Sequence, residues 1–279
     1  MQPIERPEYA TGRDVLALSG VNVSDEHAQA NIRANLALGL QEVGPHPPSG
    51  AECMLLAGGA SLNACEAEIR AMRSGGMPMV TTNGAYNWAL ARGMRPGAQV
   101  VLDARAFNIR FVQPVIEDCK YLLASQCDPA LVRSTPPEHT WLWHCGEESV
   151  TEVMKGYFAD KARRDWYPVH GSMTVMLRAI PLLIMLGWRR YHIFGWDSCL
   201  IDGAHHAYAQ PENSIGLVFD VHCTGDARIF HCTSDLLSQA QQFIDIQPMI
   251  APHCEMCVYG DGLIAHIINT GAALAEKGN

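Results

Sequence analysis

Two adjacent histidines, His205 and His206, lie in the stretch IDGAHHAY, residues 201–208, beside one acid and one tyrosine. Histidine is the side chain most easily poised to move a proton near pH 7, so this pair is the first candidate for acid–base work. The loop follows a short apolar run, Tyr191 to Gly195, that finishes on Asp197, and a similar run, Ala98 to Leu102, finishes on Asp103. A third run, Cys53 to Ala57 within ECMLLAGGASLN, passes directly into Gly58 and Gly59. Glycines there permit a tight turn and close backbone approach, and Ser61 or Asn63 can cap a following helix. A helix start facing such a turn favours an anion, with phosphate the usual one, although neither a GxGxxG pattern nor a Walker loop is present.

These residues need a scaffold that brings strand ends together. Pro78 to Thr82 reads as a second strand, and Asn83-Gly84 follows it before a helix over Ala85 to Arg92. A helix over Cys65 to Arg73 closes on Ser74-Gly75-Gly76. Strand-to-loop junctions carrying small or polar residues then share one end of a parallel sheet, the end where open α/β sheets bind ligands. A fourth junction is HGSMTVMLRAIPLLIMLGWRRYHIFGWD, residues 170–197, where Gly171, Ser172 and Thr174 open a long apolar helix. These residues serve as N-caps or present hydroxyls and N–H groups to a nucleotide, and Pro181 predicts a kink or break inside the helix.

Elsewhere the organisation is plainer. Residues 1–51 form an N-terminal lead with a helix over Glu26 to Gln41, stopped by GPHPPSG, and residues 52–279 form the nucleotide-binding domain. Lys120 to Ser125 and His139 to His144 read as strands, separated by a helical turn at Pro129 to Arg133. Glu147 to Asp165 reads as a polar insert, whose Lys161, Arg163 and Arg164 beside Trp166 and Tyr167 close over an anion or remain a solvated loop. Ile215 to His222 and Ala227 to His231 flank Thr224-Gly225-Asp226 as a hairpin, before a helix over Ser234 to Phe243.

The formal net charge of -9 over 279 residues argues against nucleic acid as a partner. The N-terminus has no apolar signal region, and the longest greasy run, Ile180 to Leu186, contains Pro181 and is too short for a membrane span, so a cytoplasmic protein is expected. A homo-oligomer is compatible with this composition. The ten cysteines are expected to be mostly buried thiols, since the lone CxxC at Cys254 and Cys257 lacks the second pair that a common zinc pattern needs.

The order of GGASLN, TTNGAYNWALARGMRPGAQVVLDAR, ASQC, GSMTVMLRAIPLLIMLGWRRYHIFGWD and the DG-HH-Y loop resembles the 6-hydroxymethylpterin diphosphokinase MptE-like family, from about residue 30 onward. That family is similar to the flagellar motility accessory factors and to bacterial sialyltransferases that use CMP-activated sugars. The resemblance implies a Rossmann-like α/β fold with a mostly parallel sheet, helices on both faces, and a C-terminal β-hairpin and helix. It places Gly58, Gly59 and Ser61 at nucleotide phosphates or ribose, with Ala60 where a proline is usual. Asn83 matches an asparagine that contacts the nucleotide, and Ser172 and Thr174 match small hydroxyl residues at the late helix start beside Gly171. Asp103 falls where diphosphokinase members hold Mg²⁺ with TDLDG; here LDARAFN keeps only the first acid.

The implied function is a nucleotide-using transferase. In its leading form ATP lies over the Gly58 turn, Mg²⁺ bridges its phosphates to Asp103, and a hydroxymethylpterin-like acceptor attacks the β-phosphorus. A second form is a glycosyltransferase using a CMP-activated nonulosonic or sialic acid, with His205 or His206 and Tyr208 as candidates for the base and for the partner of the departing phosphate, and no need of a metal; Asp197 is a further catalytic candidate. A third is a non-catalytic nucleotide-binding member.

Overall fold

Strands buried on both faces of a parallel sheet carry continuous apolar runs rather than alternating ones, which is why five-residue runs such as ECMLL and KYLLA were legible as strands. The computed structural model describes residues 23–159, 166–210 and 216–275. The basic cluster Lys161, Arg163 and Arg164, the opening stretch MQPIERPEYATGRD and Ile215 lie outside them.

A nine-stranded sheet forms the middle layer. Its strands are β1 (Gln41–Glu42), β2 (Glu52–Leu56), β3 (Met79–Thr82), β4 (Ala98–Val101), β5 (Lys120–Ala124), β6 (Thr140–Cys145), β7 (Pro168–Val169), β8 (Arg190–Phe194) and β11 (Glu255–Val258). The order is β1-β6-β5-β4-β3-β2-β8-β11, with β7 paired to β6 beyond β1, and every pairing is parallel. The chain steps outward from β2 to β6 on one side, then returns to lay β8 on the other side of β2. That reversal makes the C-terminal ends of β2 and β8 a topological switch point, where a crevice opens between diverging connections. The hairpin β9 (Val218–His222) and β10 (Ile229–Thr233) alternates buried and exposed residues and is tied to the loop after β8 by Leu200 N–H donating to His231 O at 2.7 Å.

Helices cover the sheet, and four of the eight described start at a side-chain cap, from Ser24, Asp128, Thr174 and Thr233. Helix α1 (Asp25–Leu36) is capped by Ser24, whose Oγ accepts from His27 N–H, with Asp25 and Glu26 in its first turn. Helices α2 (Glu66–Ser74), α3 (Ala85–Ala91) and α4 (Pro129–Arg133) follow β2, β3 and β5. The expected cap at Ser61 or Asn63 is absent. Ala60–Asn63 forms a 3₁₀ turn, and α2 begins only after Cys65, which makes no side-chain cap.

Over its described part, residues 147–159, the expected polar insert is instead mostly a helix. Helix α5 (Glu148–Phe158) buries Val150, Val153, Met154 and Phe158, a helical spacing outweighed in the sequence by intervening charges. Helix α6 (Val175–Met185) runs through Pro181 without a break, and α7 (Ser234–Ile250) extends past the expected Phe243 with Pro248 in its last turn. Strand β11 and helix α8 (Leu263–Thr270) complete the far edge, where the sequence suggested only a tail. Seven of the ten cysteines are buried, among them Cys53, Cys127 and Cys232. Among the described residues no helix is long and apolar enough to cross a membrane.

Candidate functional site

A cavity of about 560 Å³ opens at the switch point. Its floor is the C-terminal ends of β2, β3, β4 and β8, bringing Gly58, Gly59, Asn83, Asp103 and Asp197 together with His205 and His206. Its walls include the first turns of α1, α5, α6 and α7, among them Thr174. Of the residues expected from sequence, Ser61, Gly171 and Ser172 do not line it.

The glycine turn is built around a carboxylate from the same chain. Asp197, only 3% exposed, accepts from Ser61 N–H at 2.9 Å and from the Ser61 hydroxyl in a short hydrogen bond. The N–H expected to meet a phosphate is therefore already satisfied, which makes Ser61 a positioning residue rather than a ligand contact. A Cβ on Gly59 would stand 2.5 Å from Asp197 Oδ2 and 2.6 Å from Gly195 O, so glycine is required here to admit the carboxylate. Burial pushes the Asp197 pKa up against the lowering effect of its two Ser61 hydrogen bonds, and Asp261 pushes it further up. The Asp197 carbonyl also accepts from Leu263 N–H at 2.7 Å, anchoring the start of α8. Gly59→Ala should destabilise the chain by about 1–3 kcal/mol through overpacking. A urea midpoint equal to that of the wild type would contradict this packing role.

The histidine loop folds back onto the same turn. Ala207 N–H donates to Gly58 O at 3.0 Å, Asn63 Nδ2 donates to Ala207 O at 3.1 Å, and Tyr208 lies against Gly58 and Gly84, where a Cβ would collide with its phenol. His205 and His206 are nearly parallel, 10° apart, with their Nδ1 atoms 2.7 Å apart. One Nδ1 must donate to the other, so one ring presents a bare, basic Nε2 and its neighbour a protonated Nε2. Burial lowers both pKa values. His206 falls to about 4, with the charge of His205 adding to the effect, while Asp235 partly offsets the fall at His205. Both rings are neutral at pH 7. Burial raises the Tyr208 pKa, so its phenol stays a proton donor.

Asn83 and Ser198 line the cavity with left-handed backbone, φ 44° and 51°, a conformation that costs energy away from glycine. The Asn83 Oδ1 is buried with no hydrogen-bond partner, an acceptor at the crevice floor. Asp103 is differently placed: Arg105 donates from N–H to Oδ1 at 2.9 Å, while its guanidinium grips both carboxylate oxygens. Among the described residues no three His, Cys, Asp or Glu side chains converge as metal ligands. Asp103, the carboxylate expected to hold a divalent ion, is already forked to the Arg105 guanidinium, which leaves it poorly suited as a metal ligand.

The late helix start is organised by glutamines that sequence reasoning missed. Gln239 of α7 accepts from Ser198 Oγ at 2.6 Å and donates to Thr174 Oγ1 at 3.1 Å, joining the β8 end to the α6 start. Ser172 donates to Gln242 Oε1 in a short hydrogen bond that turns it away from the cavity, and a Gly171 Cβ would crowd Arg178 and the Leu177 carbonyl. Arg178, 4% exposed, donates to Ser172 O and Val169 O at 2.7 Å and pairs with Glu147. A mid-helix glutamine has no spacing signature, so only the packing of α7 exposes this role. The cavity lining carries the carboxylates of Asp25, Asp103, Glu147, Asp197 and Asp235, and no Lys or Arg among the described residues.

No protein-family model matches this sequence, and no curated protein is significantly similar to it. Among solved structures the fold is similar to that of the MAf glycosyltransferase from Magnetospirillum magneticum AMB-1, with a TM-score of 0.60 over 88% of this chain at 14% identity. The chain spans 38% of that protein's length. The two share a Rossmann-like α/β architecture, a mostly parallel sheet with helices around it, and in this chain the C-terminal hairpin β9–β10 and a following helix.

Proposed function

We propose that this chain is a metal-independent glycosyltransferase that takes a nonulosonic or sialic acid from a CMP-activated donor bound at the β2–β8 crevice. The observation that carries this reading is the neutral His205–His206 pair set beside a cavity lined by carboxylates and, among the described residues, no Lys or Arg. Such a lining opposes the clustered charges of a nucleoside triphosphate more than the separate phosphodiester and carboxylate of a CMP-activated nonulosonic acid, whose hydroxyls can donate to the lining carboxylates. The likeness to a glycosyltransferase fold adds support. Diphosphate transfer from ATP is supported less well, because Asp103, its expected Mg²⁺ ligand, is held by Arg105.

In this mechanism the acceptor hydroxyl oxygen bonds to the anomeric carbon as the bond from that carbon to the CMP phosphate oxygen breaks, and both bonding electrons leave with the phosphate. The bare imidazole Nε2 accepts the hydroxyl proton. The neighbouring Nε2–H or the Tyr208 phenol donates a hydrogen bond to the departing phosphate. Asn83 lines the crevice beside the donor. Asp197 takes no proton in this scheme; it positions the glycine turn through Ser61.

Thermal-shift titration with CMP, CTP, ATP and GTP, each with and without Mg²⁺, tests the reading. At about 100-fold excess over Kd, CMP should stabilise the chain by about 2.7 kcal/mol without metal. Stabilisation by ATP only with Mg²⁺ would restore the diphosphokinase reading, and no shift with any nucleotide would remove both.

A further inference from the structure

With no Lys or Arg among the described residues of its lining, the crevice must hold an anionic ligand through neutral hydrogen-bond donors. Two hydroxyls in that lining, Thr174 at the start of α6 and Ser198 after β8, are joined by Gln239 of α7. The bond lengths orient its amide: 2.6 Å to Ser198 is the span of an O–H···O bond, whereas 3.1 Å to Thr174 is that of N–H···O. Gln239 Oε1 therefore accepts from Ser198, and Nε2 donates to Thr174. A hydroxyl has one proton to give and room to accept two hydrogen bonds. Thr174 Oγ1 accepts from Leu177 N–H at 3.5 Å as the cap of α6, and the Gln239 amide is its second donor. Its acceptor capacity is filled, and among the described residues its own proton goes to no protein atom. Ser198 is the reverse case, with its proton committed to Gln239 and its oxygen left as an acceptor. The next turn of α7 steadies the arrangement, since Gln242 accepts from Met173 N–H at 3.2 Å and from the Ser172 hydroxyl, and donates to Ser238 Oγ at 3.0 Å.

We infer that Gln239 is a positioning residue for the reaction: by donating to Thr174 it leaves that hydroxyl one role, to donate into the crevice to a phosphate oxygen of the CMP-activated sugar. The identity of the anion rests on the glycosyltransferase reading above, whereas the direction of the hydroxyl rests on the hydrogen bonds alone. A hydrogen bond to an ionised oxygen is roughly twice as strong as one between neutral groups, which gives a single fixed hydroxyl weight in a lining of this kind. Gln239 makes no contact with a reacting atom in this scheme and acts through Thr174.

Calorimetric titration of the full chain with CMP, and with cytidine as the same ligand without its phosphate, tests this. Thr174→Val should weaken CMP binding by about ten-fold, and Thr174→Ser should keep it. Gln239→Glu offers both hydroxyls an acceptor and no donor, so Thr174 turns its proton onto the carboxylate and CMP binding should fall by at least about ten-fold. Cytidine should bind every variant within about two-fold of wild type. Added to Thr174→Val, Gln239→Glu should cost less than about three-fold more, because the hydroxyl it turns is already gone. A full second factor in the double variant would mean that the new charge simply repels phosphate, and would overturn the inference. Should Gln239→Glu fail to fold, the neutral Gln239→Met frees the Thr174 hydroxyl to rotate and should weaken CMP by about three-fold with cytidine unchanged. The inference is also overturned if the Gln239 variants bind CMP as wild type does, or if CMP and cytidine weaken together, as a purely structural role requires. Any of those results with CMP bound by wild type leaves the proposed function standing, whereas no CMP binding by wild type removes the function and this inference with it.

Discussion

His206→Ala should lower the rate of CMP release from a CMP-activated nonulosonic acid by about 10²- to 10⁴-fold, the range that general acid–base catalysis contributes. The size of the effect follows from the pairing. With Nδ1 atoms 2.7 Å apart, each ring sets the tautomer of the other, so removing His206 takes away one Nε2 and releases the other ring from its assigned protonation state. His205→Ala should cost a similar factor, and the double variant little more, because the two act as one unit. Donor binding should change far less than turnover, since the loop's anchor is Ala207 N–H to Gly58 O. A loss confined to KM would instead make the pair a binding element.

The same burial gives a pH signature. His206 sits at about 4 in the folded chain against an ordinary 6.5, so its basic form persists through the mildly acidic range. The acid limb of the rate profile should therefore fall well below the usual histidine range. Stability moves with it. The unfolded chain takes up the proton first, so the stability associated with His206 is complete above about pH 6.5 and is lost as pH falls toward about 4. In His206→Ala the unfolding free energy should be flatter across that window; a wild-type slope would mean that other groups cause it.

Asp197→Ala carries the second large effect, expected on stability and donor binding together. The alanine leaves Ser61 N–H and Oγ without their acceptor in a buried turn, at about 1–3 kcal/mol for each unsatisfied group. The net loss is reduced by the desolvation that the ionised Asp197 itself suffers, which is what raises its pKa. Asp197→Asn is the informative contrast: its amide oxygen can keep the Ser61 N–H without burying a charge, so it should be much closer to wild type. The pH dependence runs opposite to that of the histidines. A carboxyl whose folded pKa is raised contributes its stability at low pH and loses it as pH rises through that pKa, and Asp197→Asn should remove this loss. Equal destabilisation by alanine and asparagine would contradict a hydrogen-bonding role.

The parts of the fold and site that were legible in the sequence are those encoded over a few neighbouring residues. Apolar runs bounded by small polar residues located β2, β3, β4 and β8 and aligned Gly58, Asn83 and Asp103 at one sheet end, whereas Ser172, the fourth junction expected there, does not line the cavity and Asp197 does. What was misread is encoded across distance. Ser61 and Asp197 meet across 136 residues, so a turn that reads locally as a phosphate loop is in fact closed by a carboxylate. Gln239 and Gln242 act on Ser198, Thr174 and Ser172 only because α7 packs beside them. Cys254 and Cys257 drew notice as a metal-ligand spacing, yet Glu255–Val258 is a short edge strand, paired to β8 alone. Arg105, by contrast, stands two residues from Asp103, close enough in sequence to have signalled that the acid is paired.

The central claim is that the β2–β8 crevice handles a CMP-activated sugar without a divalent ion. It is tested most directly by incubating the full chain with a CMP-activated nonulosonic acid in excess EDTA, with water standing in as the attacking hydroxyl, and following CMP release, with His206→Ala as the control. Saturable release in EDTA, equal to that with Mg²⁺ and lost in the variant, is the expected result. Absence of release in EDTA, with AMP formed instead from ATP and hydroxymethylpterin when Mg²⁺ is supplied, would contradict it.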